Sequence, residues 1–252
     1  MFISNSRKFI FFHVPKSAGT SLSQLFESGQ GWNDIALGGT VFGEVAAKYY
    51  SKKFKLSKHV LPAQCMRVLG NDLYSNYFKF CFFRDPIKRF ISASQFFINA
   101  VKFNHDWTMN VPIVKKFRKE IISFETLSNV VNSNLLECLS AENGPKGDIY
   151  KMFAPQSIYL SGKSEYLYSE SSGFSCVHVY LLSEFRCALD DLVRRGFIFE
   201  SEIRSSGVES KGFNKSSSPL VNDLCESSLA RLNNLYQADF EVIKLAGSFV
   251  SR

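Results

Sequence analysis

Two stretches of this 252-residue chain combine residue types that can hold phosphate groups. The first reads Val14-Pro15-Lys16-Ser17-Ala18-Gly19-Thr20-Ser21 and joins the apolar run Phe9–Val14 to helix-like sequence. Main-chain N–H groups at the start of a helix have no intrahelical partner, and the helix dipole there favours an anion. Lys16 adds a cation in what reads as an exposed loop. Ser17, Thr20 and Ser21 add hydroxyl donors, and Gly19 lets a ligand approach the backbone closely. The stretch departs from the nucleoside-triphosphatase loop G-x-x-x-x-G-K-[ST], because Lys16 precedes its only glycine. A plain strand–turn–helix with a Ser or Thr cap is the competing reading of the same residues.

The second stretch is Arg84-Asp85-Pro86-Ile87-Lys88-Arg89-Phe90-Ile91-Ser92, after the apolar run Tyr77–Phe83. Asp85 suits an N-cap and Pro86 the first helical position. Arg84 then stands at the carboxyl end of a buried strand, the edge where open parallel sheets bind ligands. Ser92 falls about 9 Å along the helix and shares a face with Arg89. Arg84 and Ser92 are expected to grip a second phosphate, since a planar guanidinium matches phosphate oxygens. The plain alternative pairs Arg84 with Asp85 or with a helix C-terminus.

Taken together, the two stretches resemble the sulfotransferases that use 3′-phosphoadenosine 5′-phosphosulfate (PAPS). The first looks like the family's 5′-phosphosulfate loop, and the second like its 3′-phosphate element, R-x-P-x-x-R-x-x-S. The carbohydrate-type branch, which includes bacterial relatives, is the nearest in pattern. Lys58-His59-Val60-Leu61-Pro62-Ala63 lies where relatives place a catalytic His, and Phe153-Ala154-Pro155-Gln156-Ser157 resembles a Pro-Gln segment of that branch. Gly212-Phe213-Asn214-Lys215-Ser216-Ser217 resembles its C-terminal Asn-x-Ser loop. The resemblance implies a P-loop-like three-layer α/β sandwich with a central parallel sheet flanked by helices. It also implies PAPS as donor, PAP as product, no metal, and a hydroxyl acceptor on a glycan or glycolipid. Pro15, Lys16, Ser17, Ala18, Gly19, Thr20, Ser21, Arg84, Ser92, Asn214 and Ser216 would bind the donor. Lys16 would stabilise the leaving phosphate, and His59 would take the acceptor's proton. Asp85 stands where many relatives have Asn, and Ser217-Ser218 lacks a basic residue common there.

These residues need a scaffold. The runs Phe9–Val14, Tyr77–Phe83 and Val177–Leu182 do not alternate polar with apolar, so they read as strands buried on both faces. Each precedes helix-like sequence, which argues for a parallel sheet covered by helices. Helices are expected over Gly19–Ser28, Phe42–Tyr50, Ala63–Leu69, Pro86–Phe103, Ser123–Leu139, Phe185–Arg195 and Leu220–Leu245, the last as one helix or two. No linker is evident, so residues 1–252 read as one domain. Residues 30–55 and 104–119 match no motif, and acceptor specificity is expected there.

Composition agrees with a globular chain: 45% hydrophobic and 21% charged. No apolar run is long enough to span a membrane. The 25 Phe suit a buried sheet. The net charge of +7 favours anionic partners, whether nucleotides, polyanions, nucleic acid or anionic lipid. The six Cys lack CxxC spacing and read as buried free thiols, and with no leader at the N-terminus the chain reads as cytoplasmic. Of the four His, His13 is expected to orient the first loop, His178 to sit in the core and His105 to border the acceptor cleft. Trp32, Trp107 or Phe213 could stack on adenine, and the Asn214-Lys215-Ser216 sequon reads as chance. Two other functions compete: an ATP-dependent small-molecule kinase, and a basic module that binds polyanions. The kinase lacks its loop glycine. The basic module would need dispersed cations, whereas these sit at strand ends, against nucleic acid as partner. Oligomeric state is not legible.

Overall fold

The apolar runs assemble a five-stranded sheet in the order β3-β1-β2-β4-β5. The strands are β1 (Phe2–Ser4), β2 (Phe9–Phe12), β3 (Ile35–Ala36), β4 (Phe78–Phe83) and β5 (His178–Leu181). The structure, a computed structural model, describes residues 1–140, 148–160, 177–208 and 223–250. Strands β2, β4 and β5 are parallel, with Phe12 opposite Cys81 and Phe83 opposite Leu181. Strand β1 runs antiparallel to both β2 and β3. The central strands β2, β4 and β5 are thus parallel as expected, and β1 and β3, which the sequence did not show, make the sheet mixed at one side. The physical reason is the short connection from Ser4 to Phe9, because a tight turn can only return a strand antiparallel. Lys8 takes a left-handed φ of 60° there. The side chain of Asp34 accepts from Ser6 N at 2.9 Å and from Ser4 Oγ at 3.1 Å, tying β1 and its turn to the segment before β3.

The described residues that fall within 1–84, 156–213 and 242–252 group into one compact unit, and those within 85–155 and 214–241 into another. In the first, side chains alternate across the sheet as the pleat requires. Phe9, Phe11, Phe80, Phe82 and Tyr180 pack on one face with Leu22, Leu25 and Phe26 of α1 (Gly19–Ser28) and with Leu189 and Leu192 of the helix Phe185–Arg194. Ile10, Phe12, Cys81, Phe83 and Leu181 pack on the other. There they meet Ala47 of α2 (Val41–Phe54), Cys65 of α3 (Pro62–Leu69) and Tyr74 of α4 (Asn71–Ser75). Both faces are thus covered by helices. The Phe surplus is spent on this sheet, where Phe11 and Phe26 have ring centroids 5.0 Å apart.

The second unit is helical. Asp85 caps α5 (Pro86–Lys102) by accepting from Lys88 N at 2.8 Å, and Pro86 opens it, as its sequence leads one to expect. Phe90, Phe97 and Val101 of α5 pack with Leu127, Leu135, Leu139, Phe153 and Leu232. The expected helix 123–139 is two, Leu127–Asn132 and Asn134–Ser140. Ser133 breaks it in an extended conformation, its hydroxyl donating to Val130 O at 2.7 Å. The unmatched stretch 104–119 forms the helix Asp106–Met109 and most of Pro112–Ser123, and the C-terminal helix is two, Glu226–Leu235 and Gln237–Val250.

Candidate active site

Because β2 and β4 are adjacent and parallel, the chain leaves both strands at the same edge of the sheet. The loop after β2 is unusual in its backbone. Lys16 and Ala18 both lie in the left-handed region, with φ of 66° and 59°. For residues with a Cβ this costs about 1–2 kcal/mol each. Ala18 occupies the N-cap of the ten-residue α1, and among the described residues no side chain caps the helix. The competing reading of a Ser- or Thr-capped turn is therefore corrected. Thr20 is exposed and Ser21 half-buried in the first turn, whereas Pro15, Ser17 and Gly19 are buried.

Gln156 holds the two strand exits together. Its buried side-chain oxygen accepts from Ser17 Oγ at 3.1 Å and from Arg84 N at 3.0 Å, and its amide nitrogen donates to Arg84 O at 2.8 Å. Arg84 Nη1 in turn donates to Lys16 O at 3.3 Å. Arg84 thus pairs with the first loop, not with Asp85. Sequence reasoning noted the Pro155-Gln156 segment only by resemblance. Nothing in residue type or spacing shows that one amide would bridge chain positions so far apart.

Lys16 is half-buried, not exposed as expected. Burial pulls its ammonium down from 10.5 to about 8, and the charges of Arg84 and Lys58 add to that. Lys58 Nζ lies 2.8 Å from Glu44 Oε1.

Two histidines back this loop. A Cβ on Gly19 would stand 1.9 Å from His13 Cδ2, so this glycine makes room for the His13 ring, and the close approach expected of a ligand is made by a side chain. His13 is buried, and its Nδ1 has no hydrogen-bond partner among the described residues. Burial first, then the nearby charges of His59, the N-terminal amine, Lys58 and Lys16, hold it well below the usual imidazole range. It is neutral at physiological pH. The carbonyl of His13 lies 2.8 Å from His59 Nδ1, and the two rings meet edge-on at 4.6 Å. A carbonyl can only accept, so Nδ1 carries a hydrogen and donates to it, and Nε2 is the ring nitrogen left for any proton transfer. Tyr159 Oη donates to His59 O at 3.3 Å, which fixes the backbone at this point.

The remaining expectations fall elsewhere. Ser92 is half-buried on α5 of the second unit. Arg89, in the same motif, is fully buried and works structurally: Nη1 donates to Met152 O at 2.9 Å, and the guanidinium lies 5.4 Å from the Tyr236 ring. Asn214, Ser216 and Phe213 lie outside the described residues. Trp32 is exposed, and Trp107 stacks on Phe96 at 5.6 Å. His105 is exposed at the start of the helix Asp106–Met109. His178 is exposed at the start of β5, which corrects its expected place in the core: among the described residues β5 has only β4 beside it. Of the described Cys, Cys65 and Cys81 are buried as expected, but Cys187 and Cys225 are exposed. Among the described residues no three His, Cys, Asp or Glu side chains gather as metal ligands. No helix among them is long and apolar enough to cross a membrane.

The first unit therefore brings together two strand exits, a helix start that no described side chain caps, a half-buried lysine, an arginine and an imidazole held through Nδ1. No curated protein and no solved structure matches the chain. A family model described as the sulfotransferase family matches residues 1–244. With nearly its whole length covered, the chain belongs to the sulfotransferase family, whose members use PAPS as sulfate donor.

Proposed function

We propose that the protein transfers, in the cytoplasm, the sulfuryl group of PAPS to a hydroxyl of a carbohydrate or glycolipid acceptor. One observation carries the reading: Lys16 and Arg84 are held side by side at neighbouring strand exits, with Lys16 partly buried. Two cations close together at one edge attract a polyanion more strongly than either does alone. The donor's two phosphate ends suit such a pair. The start of α1, which no described side chain caps, adds N–H donors for the 5′ end. Pro15, Ser17, Ala18, Gly19, Thr20 and Ser21 complete that end, and Arg84, Ser92, Asn214 and Ser216 are assigned to the 3′-phosphate. A P-loop-like three-layer arrangement and a single domain over 1–252 belong to the same reading. The family match, which spans both units, supports it. Disulfide-free Cys65 and Cys81 fit a reducing compartment.

PAPS supplies an activated sulfuryl group. His59 Nε2 would take the acceptor hydroxyl's proton while that oxygen bonds to sulfur. The bond from sulfur to the phosphate oxygen breaks, and the electron pair leaves with PAP. Lys16 and the N–H groups of α1 would stabilise the charge that grows there. A positioned base contributes about 10²–10⁴ in rate. Thermal melts test the donor assignment: PAP should raise the melting temperature and ATP with Mg²⁺ should not. The reverse outcome would return the kinase reading, and no response to either would favour a polyanion-binding module.

A further inference from the structure

Helix α2 faces the sheet with its small residues: its buried positions are Gly43 and Ala47. Tyr50 packs half-buried against the core, but four other bulky apolar residues point outward. Val41 is 86% exposed, Phe42 74%, Val45 63% and Tyr49 62%. At 3.6 residues per turn these four fall within an arc of about 100°. An apolar stripe of that width ordinarily faces a core. Scattered exposed apolar residues need no explanation, but a contiguous stripe marks an interaction site.

The charges on the same helix say what kind of surface it fits. Lys48, Lys52 and Lys53 are exposed along its second half, and Lys55 follows its end. The only carboxylate within Val41–Phe54 is Glu44, which is paired with Lys58 at 2.8 Å. The face thus offers an apolar first half and a cationic second half. A second copy would bring a matching cationic half against it on a chain already at +7. Nucleic acid would use the lysines and leave the apolar stripe in water. An anionic bilayer uses both, apolar side chains entering the acyl boundary and lysines meeting the headgroups.

We propose that α2 is an interfacial docking helix that seats this protein on an anionic lipid surface. The helix adjoins the residues around His59. Thr40, which caps it, donates to Glu27 of α1 at 2.5 Å, and Glu44 pairs with the neighbour of His59. Resting on the sulfotransferase reading above, docking by α2 would bring the base close to acceptors carried by membrane lipids.

The test is co-sedimentation of the full chain, without donor, with vesicles of phosphatidylcholine alone or mixed with phosphatidylserine. Wild type should bind the mixed vesicles only, and more weakly as salt rises. The triple variant Lys48→Gln/Lys52→Gln/Lys53→Gln should lower partitioning on the order of a hundredfold. Phe42→Ser/Val45→Ser/Tyr49→Ser should lower it roughly tenfold or more. All six side chains are exposed, so melting temperature and PAP binding should persist in both variants. Absence of wild-type binding to mixed vesicles would overturn the proposal, as would either variant binding like wild type. Self-association that the apolar variant abolishes, with no vesicle binding, would also overturn it and assign the face to a second copy. PAP titration on the same samples keeps the two readings separate: intact PAP binding with no vesicle binding sinks only the docking helix.

Discussion

Replacing Lys16 with methionine should stabilise the free protein and disable it at the same time. Burial and the charges of Arg84 and Lys58 bring the Lys16 ammonium from 10.5 to about 8 in the folded chain. That displacement corresponds to about 3 kcal/mol, and partial solvent contact trims the realistic figure to about 1–3 kcal/mol. With the folded value below the unfolded one, the unfolded chain binds the proton more tightly between pH 8 and 10.5. The penalty is therefore full below about pH 8 and fades as pH rises toward 10.5. Methionine keeps the stem without the proton. Thermal melts of Lys16→Met at pH 7 should show a rise of several degrees over wild type, and the gap should close toward pH 10. PAP should bind the variant poorly. In wild type, PAP favours the charged ammonium, so affinity should fall as pH rises through about 8, by up to tenfold per pH unit. Lys16→Arg should show no such fall, because guanidinium stays charged. A methionine variant less stable than wild type at pH 7, or a flat wild-type PAP affinity from pH 7 to pH 10, would refute the reasoning.

Three further outcomes follow from the same geometry. Arg84→Ala should weaken PAP binding about 10–100-fold by titration calorimetry, the worth of a charge-assisted hydrogen bond to phosphate; unchanged affinity would remove Arg84 from the donor site. His59→Ala should lower kcat about 10²–10⁴-fold with PAP affinity kept; loss of PAP binding instead would place His59 at the donor. Gly19→Ala drives a methyl into the His13 ring, so the melting temperature should drop by the equivalent of about 1–3 kcal/mol and kcat should fall as His59 moves with the His13 carbonyl. A second substitution, His13→Ala, removes the clashing ring and keeps the carbonyl, so it should recover stability and kcat together; recovery of stability with kcat still low would argue against the carbonyl's positioning role.

The central strands and the helices that follow them were legible because runs such as Phe78–Phe83 are apolar on both faces, and Asp85-Pro86 carries its own start signal. The three-residue β1 and two-residue β3 were not, since so few residues show no period. The helix Pro112–Ser123 was missed although Pro112 is a fair start signal, because the polar sequence around it obscured its apolar face. Arg89 shows the limit of a motif. Spacing places it only on the helix face of Ser92, whereas its surroundings, the carbonyl of Met152 and the ring of Tyr236, make it a buried brace.

By itself the sequence determined the kinds of groups available: a lysine loop before a helix, an arginine at a strand tip, a histidine ahead of the second strand. Only the tertiary structure decided how they act. The parallel pairing of β2 and β4 puts both strand exits at one edge, and Gln156 locks them together. The His13 carbonyl, which lies 46 residues from His59 along the chain, holds the His59 ring through Nδ1. Burial first, then the nearby charges of Arg84 and Lys58, set the charge cost of Lys16. Residue type fixes what a group can donate, accept or ionise, but its protonation and direction depend on neighbours that only folding brings within a few ångströms.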